Sequence, residues 1–133
     1  MKKLALVSVV LLLNGCVLLD SYLMAKFDNN EYMIVNQIRT QAQLGAVKCG
    51  TKDVIPYVDE VYSKSVELKN YSASIQHNEE TITMSESLLA ITKGLKDRYD
   101  NKDEPSQKFC EMKFGMIENG TKMMQTTIGA KPR

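Results

Sequence analysis

The chain has 133 residues, with 17 Lys and Arg against 16 Asp and Glu and a formal net charge of +1. That balance provides no basic footprint and argues against a nucleic-acid partner, whose affinity rests on one. The length suits one domain able to bury a core, and with no Trp and only 3 Phe that core must be built from aliphatic residues, Met and Tyr.

At the start of the chain Lys2 and Lys3 precede an apolar run from Leu4 to Leu13 broken only by Ser8, the layout of an export signal. The run is shorter than the roughly 20 apolar residues that span a bilayer. Leu13-Asn14-Gly15-Cys16 follows: an aliphatic residue, two further positions of which the second is small, then cysteine. This resembles the lipobox of bacterial lipoproteins, and the resemblance covers the signal region alone. It implies that residues 1–15 are a signal peptide removed by cleavage, and that the Cys16 thiol carries a diacylglyceryl group. The new amino terminus would be acylated as well. The implied partner is then a membrane, held through acyl chains at about 0.8 kcal/mol per buried methylene. Val17 stands where an Asp would retain such a protein at the inner membrane, which points to the periplasmic face of the outer membrane. Loss of Lys2 and Lys3 reduces the 17 basic residues to 15, against 16 acidic, so the mature chain is close to neutral.

Residues 16–27 read as the lipidated cysteine and a short apolar tether. Leu18, Leu19, Tyr22, Leu23, Met24 and Phe27 recur at helical spacing, so the tether either packs on the domain or lies at the headgroup boundary. Residues 28–133 read as a single helical domain. A first helix is expected from about Asn30 to Lys48, with Val35, Ile38, Ala42, Gly45 and Cys49 along one face and Gly50 as its stop. Asp53 is expected to cap the next helix, and Pro56 is tolerated in its first turn because the missing N–H has no helical partner there. Val54, Val58, Val61, Leu68 and Ile75 then form a seam with Ser65 and Ser72 at its small positions, flanked by Tyr57, Tyr62 and Tyr71. Beyond Ile75 this register would bury Glu79, Glu86, Lys93 and Lys96. The stripe restarts in a new phase as Met84, Leu88, Ile91, Leu95 and Tyr99, with Ile82 and Leu89 beside it. Such a slip marks either a bent helix or a turn. The polar stretch from Gln76 to Glu80 falls there and could cap the second segment. Asp100 to Pro105 reads as a linker, and a last helix from about Ser106 to Ile128 repeats Cys110, Phe114, Ile117, Thr121, Met124 and Ile128.

With Cys16 consumed by lipid, Cys49 and Cys110 remain as an even pair in an oxidising compartment, which predicts a disulfide. One straight helix from Asp53 to Asp100 would be about 70 Å long and would hold the two cysteines at opposite ends. Folding it near His77 brings both to the same end, within the roughly 7 Å between Cα atoms that a disulfide allows. The expected fold is therefore all-α: a small up-down-up-down four-helix bundle stapled by one disulfide, with a three-helix bundle having a long bent middle helix as the alternative.

No catalytic set emerges. His77 is the only histidine, Ser74 to His77 is a spacing that exposes both side chains, and no Cys-x-x-Cys pair exists to hold zinc. No metal and no cofactor beyond the lipid on Cys16 is expected. Gly115 and Gly120 read as points of close helix contact, and residues 129–133 as a solvated basic tail. Phe109, Met112, Met116 and Met123 form a second stripe on the last helix. The plainer reading buries it in a central helix; the functional one makes it a pliable partner surface, thioethers also being soft ligands for Cu(I). The expected function is a non-enzymatic interaction or accessory lipoprotein of the envelope with a protein partner. It could be encoded by a phage or prophage and act in lysis or superinfection exclusion. The alternative is a periplasmic small-ligand-binding protein or enzyme with a cavity between helices.

Overall fold

The computed structural model describes residues 23–101 and 103–133. The signal, Cys16 and the tether up to Tyr22 lie outside the described residues. Among the described residues four long α-helices follow in order: α1 (Asn29–Ala46), α2 (Ile55–Ser74), α3 (Glu79–Asp100) and α4 (Gln107–Gly129), with a 3-10 turn at Lys52–Val54. Each helix packs against its chain neighbours, and α4 closes the ring on α1. The up-down-up-down bundle is thus the arrangement adopted, and the chain reverses at residues 75–78 instead of bending through one long helix.

The apolar faces of α1, α2 and α4 lie where periodicity puts them. Val35, Ile38, Ala42 and Gly45 of α1 are buried against Val58, Val61 and Leu68 of α2 and Phe114, Ile117, Met124 and Ile128 of α4. Gly45 is the point of closest approach. A Cβ there would stand 2.6 Å from Phe114 Cζ and 2.9 Å from Tyr57 Cβ, so only glycine lets the three elements meet. The glycines expected in that role do not play it: a Cβ on Gly115 would meet nothing within 4 Å, and one on Gly120 would make an ordinary 3.7 Å contact with Leu88.

On α3 the buried line is Thr81, Ser85, Leu88, Thr92 and Leu95, while Met84, Ile91 and Tyr99 are only half-buried. The expected stripe is therefore rotated toward one edge. Two of the three hydroxyl residues on the buried line bond to their own helix, Ser85 Oγ donating to the Ile82 carbonyl and Thr92 Oγ1 to that of Leu89, while the buried Thr81 hydroxyl has no partner among the described residues. Their small size brings α3 close to the core, and their larger neighbours Met84 and Ile91 are left at the rim.

Caps differ from expectation in two places. Asp53 sits within the 3-10 turn, and α2 begins after Val54 with no side-chain cap, its Pro56 in the first turn as expected. Asn78 occupies the N-cap position of α3 but makes no capping bond; its Oδ1, the atom that would accept one, accepts instead from Lys131 Nζ. Asp28 caps α1 by accepting from the Glu31 N–H at 2.8 Å, and Ser106 caps α4 by accepting from the Phe109 N–H at 3.1 Å. Gly50 turns the chain after α1 with a φ of 85°, which its lack of a Cβ allows.

Cys49 and Cys110 form a disulfide with Cα atoms 5.7 Å apart, joining residues separated by 61 positions. Closing a loop of that size restricts the unfolded chain and contributes roughly 4 kcal/mol in the chain-entropy model. Reduction, or Cys49→Ser with Cys110→Ser, should lower unfolding stability by about 2 to 5 kcal/mol in denaturant titration, with the helical circular-dichroism signal of the folded state retained.

Candidate functional site

The end of the bundle opposite the disulfide is polar inside. Glu31, in the first turn of α1, has 0% exposure. Its Oε1 accepts from Ser72 Oγ of α2 and from Asn78 Nδ2 at the α2–α3 reversal, both at 2.7 Å, and its Oε2 accepts from Lys131 Nζ at 2.7 Å. Lys131 also donates to Asn78 Oδ1, and the Asn78 amide donates to the Ser72 carbonyl at 3.1 Å. One residue from each of three helices or their termini thus meets the carboxylate of the fourth. Tyr71 extends the network by donating to both carboxylate oxygens of Asp28, the α1 cap, at 3.0 and 3.1 Å.

The tail is therefore part of the fold. Lys131 is buried, the Pro132 carbonyl accepts from the Phe27 N–H at 2.8 Å, and the Arg133 guanidinium lies 4.8 Å from the centre of the Phe27 ring. This corrects the solvated-tail expectation. The domain also begins earlier than residue 28, since the Ala25 N–H donates to the His77 carbonyl at 3.0 Å. His77 itself is exposed at a φ of 58°, and its carbonyl accepts the Ala25 bond at the reversal.

With both carboxylate oxygens engaged and the ammonium paired, this cluster has the chemistry of a fastener. Both charges have left water, so removing one partner strands the other. The sequence marks Ser72 only as a small seam position and gives no sign of Glu31 or Lys131. A Glu at an otherwise apolar register position of α1, three residues before Ile34, is the signal that could have been used.

The second feature is the outer surface between α3 and α4. Met112, Met116 and Met123 are 52%, 41% and 64% exposed, so the methionine stripe is surface and the core reading of it fails. Phe109 is half-buried on the core, with Arg98 and Lys113 each 5.6 Å from its ring centre. Beside the stripe runs an open cleft of about 270 Å³ lined by Thr83, Met84, Ser87, Leu88, Ile91, Gly120, Met123 and Met124.

Other seams are sealed by polar side chains. Across α1–α4, Arg39 donates to Gln125 at 2.9 Å, Gln125 to Asn36 at 3.1 Å and Gln43 to Glu118 at 2.8 Å. Across α2–α3, Lys96 Nζ bonds Asp59 at 2.9 Å, and its bonds to Asp59 and Asp100 raise its pKa above the usual lysine value. Among the described residues no side-chain hydrogen bond or ion pair joins Glu79–Asp100 to Gln107–Gly129, the least extensively packed of the four seams. The Asn78–Lys131 bond lies beyond the helix ends, and Arg98 over Phe109 is a cation–π contact across the seam. A further cleft of about 610 Å³ lies at the disulfide end between Gly50, Thr51, Lys52, Ile55 and Tyr99, Glu104, Pro105, Gln107. There burial, and then Glu104, push the Tyr99 phenol above its ordinary value.

Comparison with protein families, with curated proteins and with solved structures yields no match to this chain.

The fastener has a measurable consequence. Glu31→Gln keeps the shape but leaves the Lys131 ammonium buried without its counter-charge, and should cost about 3 to 5 kcal/mol in chemical denaturation. Adding Lys131→Met should recover a large part of that loss, giving a coupling well above the roughly 0.5 kcal/mol scatter of independent sites.

Proposed function

We propose that this protein is a lipid-anchored lipoprotein of the bacterial envelope that works without catalysis, by binding a protein partner through the exposed methionine face of α4. The observation that carries the binding role is that face: Met112, Met116 and Met123 are exposed together along one side of a helix whose opposite side is core. Flexible thioether side chains make such a surface adaptable to a partner's apolar contacts. An exposed apolar patch on a small domain marks an interaction site more often than chance.

The lipid anchor is supported by the order of Lys2, Lys3, the apolar run and Leu13-Asn14-Gly15-Cys16. Ala25 is hydrogen-bonded to the polar end of the bundle, nine positions after Cys16. An extended chain of that length reaches about 30 Å, so the polar end would stand close to the membrane, with Met123 nearer to it than Met112. The periplasmic side of the outer membrane fits Val17 after the cysteine, and a phage or prophage origin with a role in lysis or superinfection exclusion fits a small anchored binder. Two features support a non-enzymatic role. Glu31 and Lys131 are committed to each other, and the Ser and Thr side chains in the core mostly bond to their own backbone.

Two measurements test the reading. Cys16→Ser should abolish metabolic labelling by palmitate and leave uncleaved precursor; a variant still processed and labelled would defeat the anchor. The lipidated protein isolated from membranes should retain a stoichiometric protein partner that is lost in Met112→Ser/Met116→Ser/Met123→Ser, while the fold, tested by circular dichroism, is unchanged. A partner retained by that triple variant would remove the methionine face from the mechanism.

A further inference from the structure

The edge of α3 beside the α3–α4 cleft carries a pattern that runs beyond what packs on the chain's own core, to which only Met84 and Ile91 contribute. Glu80, Met84, Ser87, Ile91, Gly94 and Arg98 follow one another at steps of four, three, four, three and four, which keeps them on one face of the helix. Glu80 and Arg98 are eighteen positions apart, five turns and about 27 Å. Glu80, Ser87 and Arg98 are exposed, while Met84, Ile91 and Gly94 are half-buried at the rim. Three of the six line the open α3–α4 cleft, and a Cβ built on Gly94 meets nothing within 4 Å.

Read backwards, the pattern is complementary to itself. Laid antiparallel on a second copy with residue 89 at the centre, Glu80 falls opposite Arg98, Met84 opposite Gly94 and Ser87 opposite Ile91. Every pair then joins acid to base or large to small. We propose that the α3 edge and its cleft bind a second copy of this chain, through a two-fold antiparallel contact between the two α3 helices. Such an isologous contact uses each pairing twice, once on either side of the axis. The helix dipole accounts for acids in the first turn and Arg98 in the last, but not for the large–small alternation between them. Large side chains facing small ones are what lets helices interdigitate. Along the cleft itself no hydrogen bond between the two helices blocks incoming side chains, with Met123 at its border, and Arg98 would meet Glu80 of the second copy from its exposed place over the Phe109 ring.

The pairing does not require lipid at Cys16 or the envelope partner, so loss of palmitate labelling or of partner capture leaves it standing. Full-length protein in mild detergent, examined by light scattering and by sedimentation over a concentration series, should form a dimer. Glu80→Arg should place like charges together at both ends of the contact and weaken the dimer about ten-fold or more, and Arg98→Glu should do the same. Combining Glu80→Arg with Arg98→Glu restores opposite charges across the axis and should restore the dimer. Ser87→Arg, near the centre of the contact, should leave only monomer, with circular dichroism confirming the bundle in every variant. A monomeric parent protein would overturn the proposal and leave the cleft to a different occupant. So would a dimer indifferent to Ser87→Arg, or single reversals that the double variant does not repair.

Discussion

The Glu31 carboxylate is the group on which this bundle's organisation most depends. It lies in the first turn of α1 with no contact with solvent, and an ionised group there costs several kcal/mol to desolvate unless its partners are in place. Those partners come from the end of α2, the α2–α3 reversal and the segment after α4. The carboxylate is therefore satisfied only when all four helices have their final order. A straight α2–α3 helix would carry the start of α3 away from the end of α4 and so separate Asn78 from Lys131.

The disulfide performs a different task at the other end. It links the turn after α1 to the start of α4 and limits the unfolded chain, whereas the Glu31 network discriminates among folded arrangements. Between these two fastened ends the helices meet along apolar faces that are non-directional by themselves, with the Gly45–Phe114 contact fixing how deeply α1 and α4 engage. The consequence for function is positional. The chain arriving from the tether is bound at the Glu31 end through Ala25 and Phe27, so whatever holds the tether holds that end of the bundle.

Seam chemistry divides the surface. The α1–α4 and α2–α3 seams are capped by polar bonds that would have to be broken for a partner to enter. The α3–α4 side has Met, Gly and small side chains at its surface and no such caps among the described residues. The centre of α3 is occupied by Thr81, Ser85 and Thr92 beside Leu88 and Leu95, and its larger side chains Met84 and Ile91 stand at the rim.

Helix count, the reversal near His77, the faces of α1, α2 and α4 and the Cys49–Cys110 pair were all legible from periodicity. The register break alone allowed a bent helix or a turn, and the requirement that Cys49 and Cys110 meet is what selected the turn. What periodicity could not decide was anything that depends on which residues meet across the fold. Lys131 looked like a solvated tail residue, because a sequence does not show that a carboxylate 100 positions earlier waits for it. The methionine stripe could be read as core or as partner surface, because apolar spacing marks a face without saying whether another helix covers it. The buried line of α3 was misplaced for a related reason: Ser and Thr count as polar in a pattern, yet in a helix their hydroxyls can bond to the preceding turn and take the central positions. Local composition determined the elements; the tertiary structure alone decided which charges are buried and which apolar side chains are exposed.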